Sequence, residues 1–149
     1  MILDDIVLRN APPATFAARL VLAATLVPLY GIYSGYELCE NEPASETNTE
    51  YLHSEKYELK ARDYDAPDSL APLIRTVNDL RRRHPSIWGL RDIRFHHADD
   101  ERVLIYSRGH TDTELLVCIV NLDPYEARAT TVRLDLAAIG LPADRPYQL

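Results

Sequence analysis

The stretch IRFHHADDERVLIYSRG, residues 93–109, decides the fold of the C-terminal part of the chain. Two short runs of alternating character flank the turn-forming pair Asp99-Asp100, a pattern that predicts antiparallel strands. ELLVCIVNLD (114–123) and ATTVRLDLAAIG (129–140) continue it, separated by the turn residues Gly109-His110 and Asp123-Pro124. An all-β part therefore begins past Trp88-Gly89, with its boundary near residues 85–92.

Upstream the period changes. Between residues 68 and 84, Leu70, Leu73, Ile74, Val77 and Leu80 share one helical face, Asp68 or Ser69 is placed to cap the start, and His84-Pro85 ends the run. Arg75, Arg81, Arg82 and Arg83 make that helix basic toward its C-terminus, where cations are favoured. Farther back, ATFAARLVLAATLV (14–27) follows Pro12-Pro13 and places Phe16, Leu20, Ala23, Ala24 and Val27 at helical spacing. Pro28 stops it, and YGIYSG (30–35) reads as a buried strand of a parallel sheet. From Tyr36 to about Pro67 no period holds, which predicts a loop of about thirty residues. Loops of that length within compact domains are uncommon and usually functional.

Composition limits the function classes. A chain of 149 residues, 46% hydrophobic and 26% charged, can bury roughly two-thirds of its unfolded surface in a core. Its net charge of −7 disfavours nucleic acid and anionic membrane surfaces as partners. Cys39 and Cys118 stand far apart, without further cysteines or histidines at metal-ligand spacing, so a reducing compartment fits and no zinc site or disulfide framework is expected. Phe16–Tyr33, the longest apolar stretch, is interrupted by Arg19, Thr25 and Pro28, and the N-terminus lacks a basic n-region; neither a transmembrane span nor a signal peptide is expected.

GIYSGYELCENEP (31–43), YLHSEKYELKARDYD (51–65), NDLRRRHPSIW (78–88) and VNLDP (120–124) resemble the C-terminal part of the α-amylase superfamily, and within it the maltosyltransferases that extend α-1,4-glucan from maltose 1-phosphate. The likeness covers nearly the whole chain. SGYELCENEP and SEKYE carry the narrower resemblance, whereas RRRHP followed by a β domain is shared more widely. The fold this implies is α/β plus all-β: the end of a TIM (β/α)8 barrel followed by part of a C-terminal antiparallel β-sandwich. Residues 1–88 would hold the last strand (30–34), the active-site loop and the closing helix, and residues 89–149 an incomplete sandwich.

The resemblance also implies a site. Loops that follow TIM-barrel strands build the catalytic face, which puts the segment after Ser34-Gly35 over it. The motif match assigns Lys56 and Tyr57 to the maltose 1-phosphate donor, with Glu37 and Asn41 as secondary candidates. An ammonium offers donors to sugar hydroxyls or phosphate oxygens, and a tyrosine offers a hydroxyl and a flat face for a pyranose. Retaining enzymes of the superfamily need a carboxylate nucleophile and a carboxylic acid. The resemblance puts both on earlier strands, so no catalytic residue is expected in this chain, and Asp4 and Asp5 are not assigned as the third carboxylate. No cofactor and no metal are implied; the partners are α-maltose 1-phosphate and α-1,4-glucan, the place a bacterial cytoplasm, and the whole enzyme a homodimer. The alternatives are a piece of a trehalose-forming isomerase or α-glucan hydrolase, or a non-catalytic sugar-binding remnant. As a truncated segment with unpaired strand edges, the chain alone is expected to be inactive, marginally stable and prone to aggregation.

Other groups have plainer readings. His96-His97 with Asp99, Asp100 and Glu101 reads as a polar strand end, because adjacent strand residues face opposite ways. Glu40 and Glu42 imitate paired acids without the family's support. Tyr30, Tyr33 and Tyr36 read as packing, Trp88 as the seam between the two parts, and Arg81–Arg83 as a helix end at that seam.

Overall fold

The computed structural model describes residues 5–45, 51–52, 59–110, 114–144 and 146–147. Its helices are α1 (Asp5–Leu8), α2 (Pro13–Leu26) and α3 (Ala71–Arg83); its strands are β1 (Ile93–Ala98), β2 (Val103–His110), β3 (Glu114–Asn121) and β4 (Val132–Arg133). Short 3-10 turns occupy Tyr36–Leu38, Pro85–Ile87 and Ala137–Ile139.

Helix α2 opens on Pro13, whose fixed φ suits a first helical position. It buries Phe16, Leu20, Ala23 and Ala24 against Leu8, Tyr36 and Val77. Leu8, Phe16, Leu20 and Tyr36 are all fully enclosed, and burial of side chains this large is worth about 1.5–3 kcal/mol each. The helical core therefore rests mainly on α2. Helix α3 lays its apolar face over it, with Leu70, Leu73 and Ile74 only partly buried. The Ser69 hydroxyl accepts the Ala71 N–H at 3.2 Å, and the His84 N–H closes the last turn on the Leu80 carbonyl before Pro85. The helix is thus 71–83 within the expected 68–84.

One expectation fails here. Residues 30–34 form no strand; the segment after Pro28 is irregular, with Leu29 84% exposed. A strand requires a neighbour to take its backbone groups, and among the described residues nothing pairs with this segment.

The β part is a single antiparallel sheet in the order β3-β2-β1-β4. Ile93 to His96 pair with Arg108 to Ile105, Val103 to His110 pair with Asn121 to Glu114, and His97 and Ala98 pair with Arg133 and Val132. Central strand β2 is covered on both faces: Val103, Ile105 and Ser107 are buried on one, Tyr106 and Arg108 on the other. The stretch 129–140 supplies only the two-residue β4. The Asp135 carboxylate accepts the Ala138 N–H at 3.0 Å and starts a turn there, an alternative to the ladder that aspartate commonly offers. The antiparallel hairpins are as expected, whereas a second sheet is absent among the described residues. Among those residues, too, no helix is long and apolar enough to cross a membrane.

Candidate functional site

The chain after α2 turns back on itself at Gly35, which has φ +99°. A Cβ there would sit 2.3 Å from a Glu40 carboxylate oxygen, so glycine is needed for both backbone and space. Into that space Glu40 presents its carboxylate to Arg62, which grips it with Nε at 3.0 Å and Nη2 at 3.1 Å, and to Lys60 Nζ at 2.9 Å. The Arg62 side chain is 2% exposed, and its Nη1 also donates to Ser34 Oγ at 3.3 Å. Burial alone would raise the Glu40 pKa; the hydrogen bonds and charges of Arg62 and Lys60 outweigh it and hold the carboxyl below its ordinary range. A carboxylate pinned by two cations is an anchor, not a proton donor.

Aromatic packing fixes the same turn. Tyr36 donates its buried hydroxyl to the Phe16 carbonyl at 2.6 Å and meets the Phe16 and Tyr33 rings edge-on at 5.2 and 5.6 Å. Tyr33 donates to the Glu40 carbonyl at 2.8 Å and lies 5.2 Å from the Tyr51 ring. Farther along, Pro43 and Tyr51 form an antiparallel bridge, and the Leu52 N–H donates to the Glu42 carbonyl at 2.8 Å. Leu52 and Lys60, the one just before and the other just after HSEKYEL (53–59), consequently line one cleft of about 240 Å³ together with Asn41 and Glu42.

Lys56 and Tyr57 lie outside the described residues. The two secondary candidates do not share a cleft. Asn41 borders the one just described and donates its amide to the Ala11 carbonyl at 3.0 Å. Glu37 borders a second cleft of about 530 Å³ with Ile32, Ser34, Tyr64 and Arg75. Its carbonyl accepts the Leu70 N–H at 2.7 Å and its carboxylate the Gly35 N–H at 3.2 Å, which ties the turn to the start of α3. Tyr30, Tyr33 and Tyr36 all pack against the α2 core, as read from the sequence. His96 meets Ser107 Oγ at 2.9 Å and His97 meets Asp99 at 3.2 Å; among the described residues no three His, Cys, Asp or Glu side chains are grouped to hold a metal.

Two guanidinium staples hold the parts together: Arg81, already read as a helix end at the seam, and Arg108, which sequence reasoning missed. Arg81 of α3 donates to the carbonyls of Ala24, Val27 and Pro28 at the end of α2, and stacks 5.1 Å from the Tyr30 ring centre. It answers the orphan carbonyls of that helix terminus. Arg108 of β2, fully buried, donates Nη2 to the carbonyls of Ser86 (3.0 Å), Ile87 (3.1 Å) and Gly89, and Nη1 to Leu26 at 3.4 Å. Alongside, the Tyr106 hydroxyl meets Thr25 Oγ1 at 2.5 Å, and burial pushes the phenol up to about 12. Trp88, read as the seam, donates its indole N–H to the Arg81 carbonyl and stays 55% exposed. A helix-end arginine is a recognisable signal; an arginine in an alternating strand reads as a surface residue until its partners are known.

Residues 95–149 match the family described as GLGE, C-terminal. The matched segment runs from within β1 onward. Across nearly the whole chain the likeness is to α-1,4-glucan:maltose-1-phosphate maltosyltransferases. That of Corynebacterium glutamicum is 44% identical over 147 residues, 95% of this chain and 22% of the relative. Maltosyltransferase 2 of Streptomyces coelicolor is 44% identical over 138 residues, 90% of this chain and 20% of the relative. The Mycobacterium tuberculosis enzyme is 43% identical over 140 residues, 91% and 20%. The chain thus spans about one fifth of the length of these curated relatives.

Proposed function

We propose that this chain is the C-terminal segment of a maltosyltransferase that moves maltosyl units from α-maltose 1-phosphate to the non-reducing end of α-1,4-glucans by a retaining mechanism. The observation that carries the reading is the 44% identity over 147 residues to a protein named for that reaction. In it, residues 1–88 complete a TIM barrel and residues 89–149 begin the following β domain. Segment 30–34, irregular and unpaired here, would become the last barrel strand once flanking strands take its backbone groups. The enzyme would work in the cytoplasm as a homodimer.

Within this reading the Gly35 turn and the Glu40–Arg62–Lys60 clip present the loop at the mouth of the barrel, where Lys56 and Tyr57 take the donor through phosphate or hydroxyl oxygens and a ring face. Glu37 and Asn41 hold the turn more directly than they hold sugar. The nucleophile and acid lie outside these 149 residues, so the chain alone transfers nothing. The test is a glucan-extension assay with the longer enzyme containing this segment: Lys56→Ala and Tyr57→Ala raise KM for α-maltose 1-phosphate at least about tenfold, equivalent to about 1.4 kcal/mol of lost binding. An unchanged donor KM in both variants removes the donor role. Release of phosphate from maltose 1-phosphate by the 149-residue chain itself removes the claim that the machinery lies elsewhere.

A further inference from the structure

Arg108 is fully enclosed in β2, and its hydrogen bonds to main-chain carbonyls use Nη1 and Nη2. The third nitrogen, Nε, carries one hydrogen; it is shielded from solvent and has no hydrogen-bond partner among the described residues. The Ser86 hydroxyl shares that condition: its oxygen is enclosed and likewise has no partner among the described residues. A polar group kept from water and left unbonded is costly, so nearly all such groups in folded proteins are satisfied.

The two groups are neighbours. Arg108 Nη2 donates to the Ser86 carbonyl at 3.0 Å, and Gly109, next along β2, approaches Ser86 so closely that a Cβ on it would lie 3.0 Å from Ser86 Cβ. The chemistry of the pair narrows the ligand. Arg108 Nε–H only donates, which excludes a cation, whereas a hydroxyl donates or accepts. An anion would accept from both, but it would enter beside the carbonyl oxygens of Leu26, Ser86, Ile87 and Gly89, whose negative ends already face the guanidinium. A water molecule accepts from Nε, exchanges a bond with Oγ and has a hydrogen left for the second lone pair of one of those carbonyls. That gives it the three bonds usual for a buried water. The way in is short, because Ser86 is only half-buried and Trp88 and Gly89 are exposed.

We propose that Arg108 Nε and Ser86 Oγ share one buried water molecule. It completes the joint between β2 and the stretch that links α3 to β1: Nη2 grips the main chain of that stretch directly, and Nε reaches a side chain through the water. The site uses no residue of the Gly35 turn or the donor loop, and it stands whether or not the proposed function does. As a small movable bridge, the water lets the turn Pro85–Ile87 shift against β2 without stripping Nε of its partner.

The test is a crystal structure of the longer enzyme containing this segment, with a bromide soak, together with hydrogen exchange of the Arg108 Nε–H followed by NMR in the 149-residue chain. One water oxygen about 2.7–3.2 Å from both atoms is expected, with no anomalous bromide signal there. Ser86→Ala, which removes one of the water's partners, speeds exchange of the Arg108 Nε–H at least about tenfold, while Ser86→Thr, which keeps the hydroxyl, leaves it near the wild-type rate. Matched far-UV circular dichroism shows that neither substitution disturbs the fold; should Ser86→Ala not fold, the wild-type crystal decides alone. Bromide at the site, Nε bonded directly to a protein oxygen, or unchanged exchange in Ser86→Ala each overturns the proposal.

Discussion

Replacing Arg108 by methionine keeps the length and packing of the side chain and deletes only its hydrogen-bonding head. Two of its bonds, to Ser86 at 3.0 Å and Ile87 at 3.1 Å, are well formed; the one to Leu26 is stretched to 3.4 Å, and the contact with Gly89 shares the same nitrogen. Bonds from a charged donor are worth about 1.5–3 kcal/mol each, so the two good ones alone come to about 3–6 kcal/mol. Burial pushes the Arg108 pKa down, which measures the opposing cost of holding a cation away from water, though a guanidinium keeps its charge. A net loss of about 3–5 kcal/mol follows, within what is expected when two buried carbonyls lose their donor at about 1–3 kcal/mol each. Against a total of about 5–15 kcal/mol this is a large fraction. With a urea dependence of about 2 kcal/mol per molar, the midpoint falls by about 1.5–2.5 M. Far-UV circular dichroism reads the whole fold, and fluorescence of Trp88, which adjoins two of the carbonyls that Arg108 holds, reads the staple. Arg82→Met is the control, since Arg82 is exposed and its change stays within about 0.5 kcal/mol. An Arg108→Met midpoint within about 0.3 M of wild type would refute the reasoning.

Three further outcomes are expected. Gly35→Ala destabilises by at least about 1–3 kcal/mol, from the positive φ and from the collision with the Glu40 carboxylate; thermal unfolding unchanged to within a degree speaks against both. Tyr106→Phe costs about 1–2 kcal/mol, because Thr25 keeps its bond to the Val21 carbonyl while the bond between hydroxyls and a weak one with the Cys118 thiol are lost; a change above about 3 kcal/mol in chemical denaturation contradicts that assignment. The N–H of Tyr125 and the Arg128 guanidinium hold the Asp123 carboxyl down to about 2, below its unfolded value of about 3.9, so its contribution to stability is present above pH 4 and lost as pH falls through 2. A carboxyl carbon NMR titration shows this directly; a midpoint near 4, or no rise in Arg128→Ala, contradicts it.

Much of the fold was legible because it rests on local rules. Pro13, the spacing of Phe16, Leu20 and Ala23, and the Ser69 hydroxyl just ahead of the Leu70 cap position place α2 and α3 to within a few residues. Asp99-Asp100 places the first hairpin, since a turn fixes the register of its strands; Gly109-His110, read as a turn, are instead the last residues of β2, paired with Leu115 and Glu114. Residues 30–34 misled because strand formation is settled by a neighbour, which an aromatic and β-branched run cannot provide for itself. At the loop, SEKYE carried a family likeness while the Glu40–Arg62 clip, 22 residues apart in sequence, carried no local signal. Arg108 was hidden for the same reason: its acceptors are main-chain carbonyls, which any sequence supplies.

The two staples also set an order of events during synthesis. The carbonyl of Leu26 must wait for a side chain 82 residues later in the chain, and those of Val27 and Pro28 for one 54 and 53 residues later. At about 5–20 residues per second, a ribosome takes about 4–16 s to deliver Arg108 after Leu26. Throughout that interval water must serve the end of α2 in place of the guanidiniums, and α2 is therefore finished long after it is made.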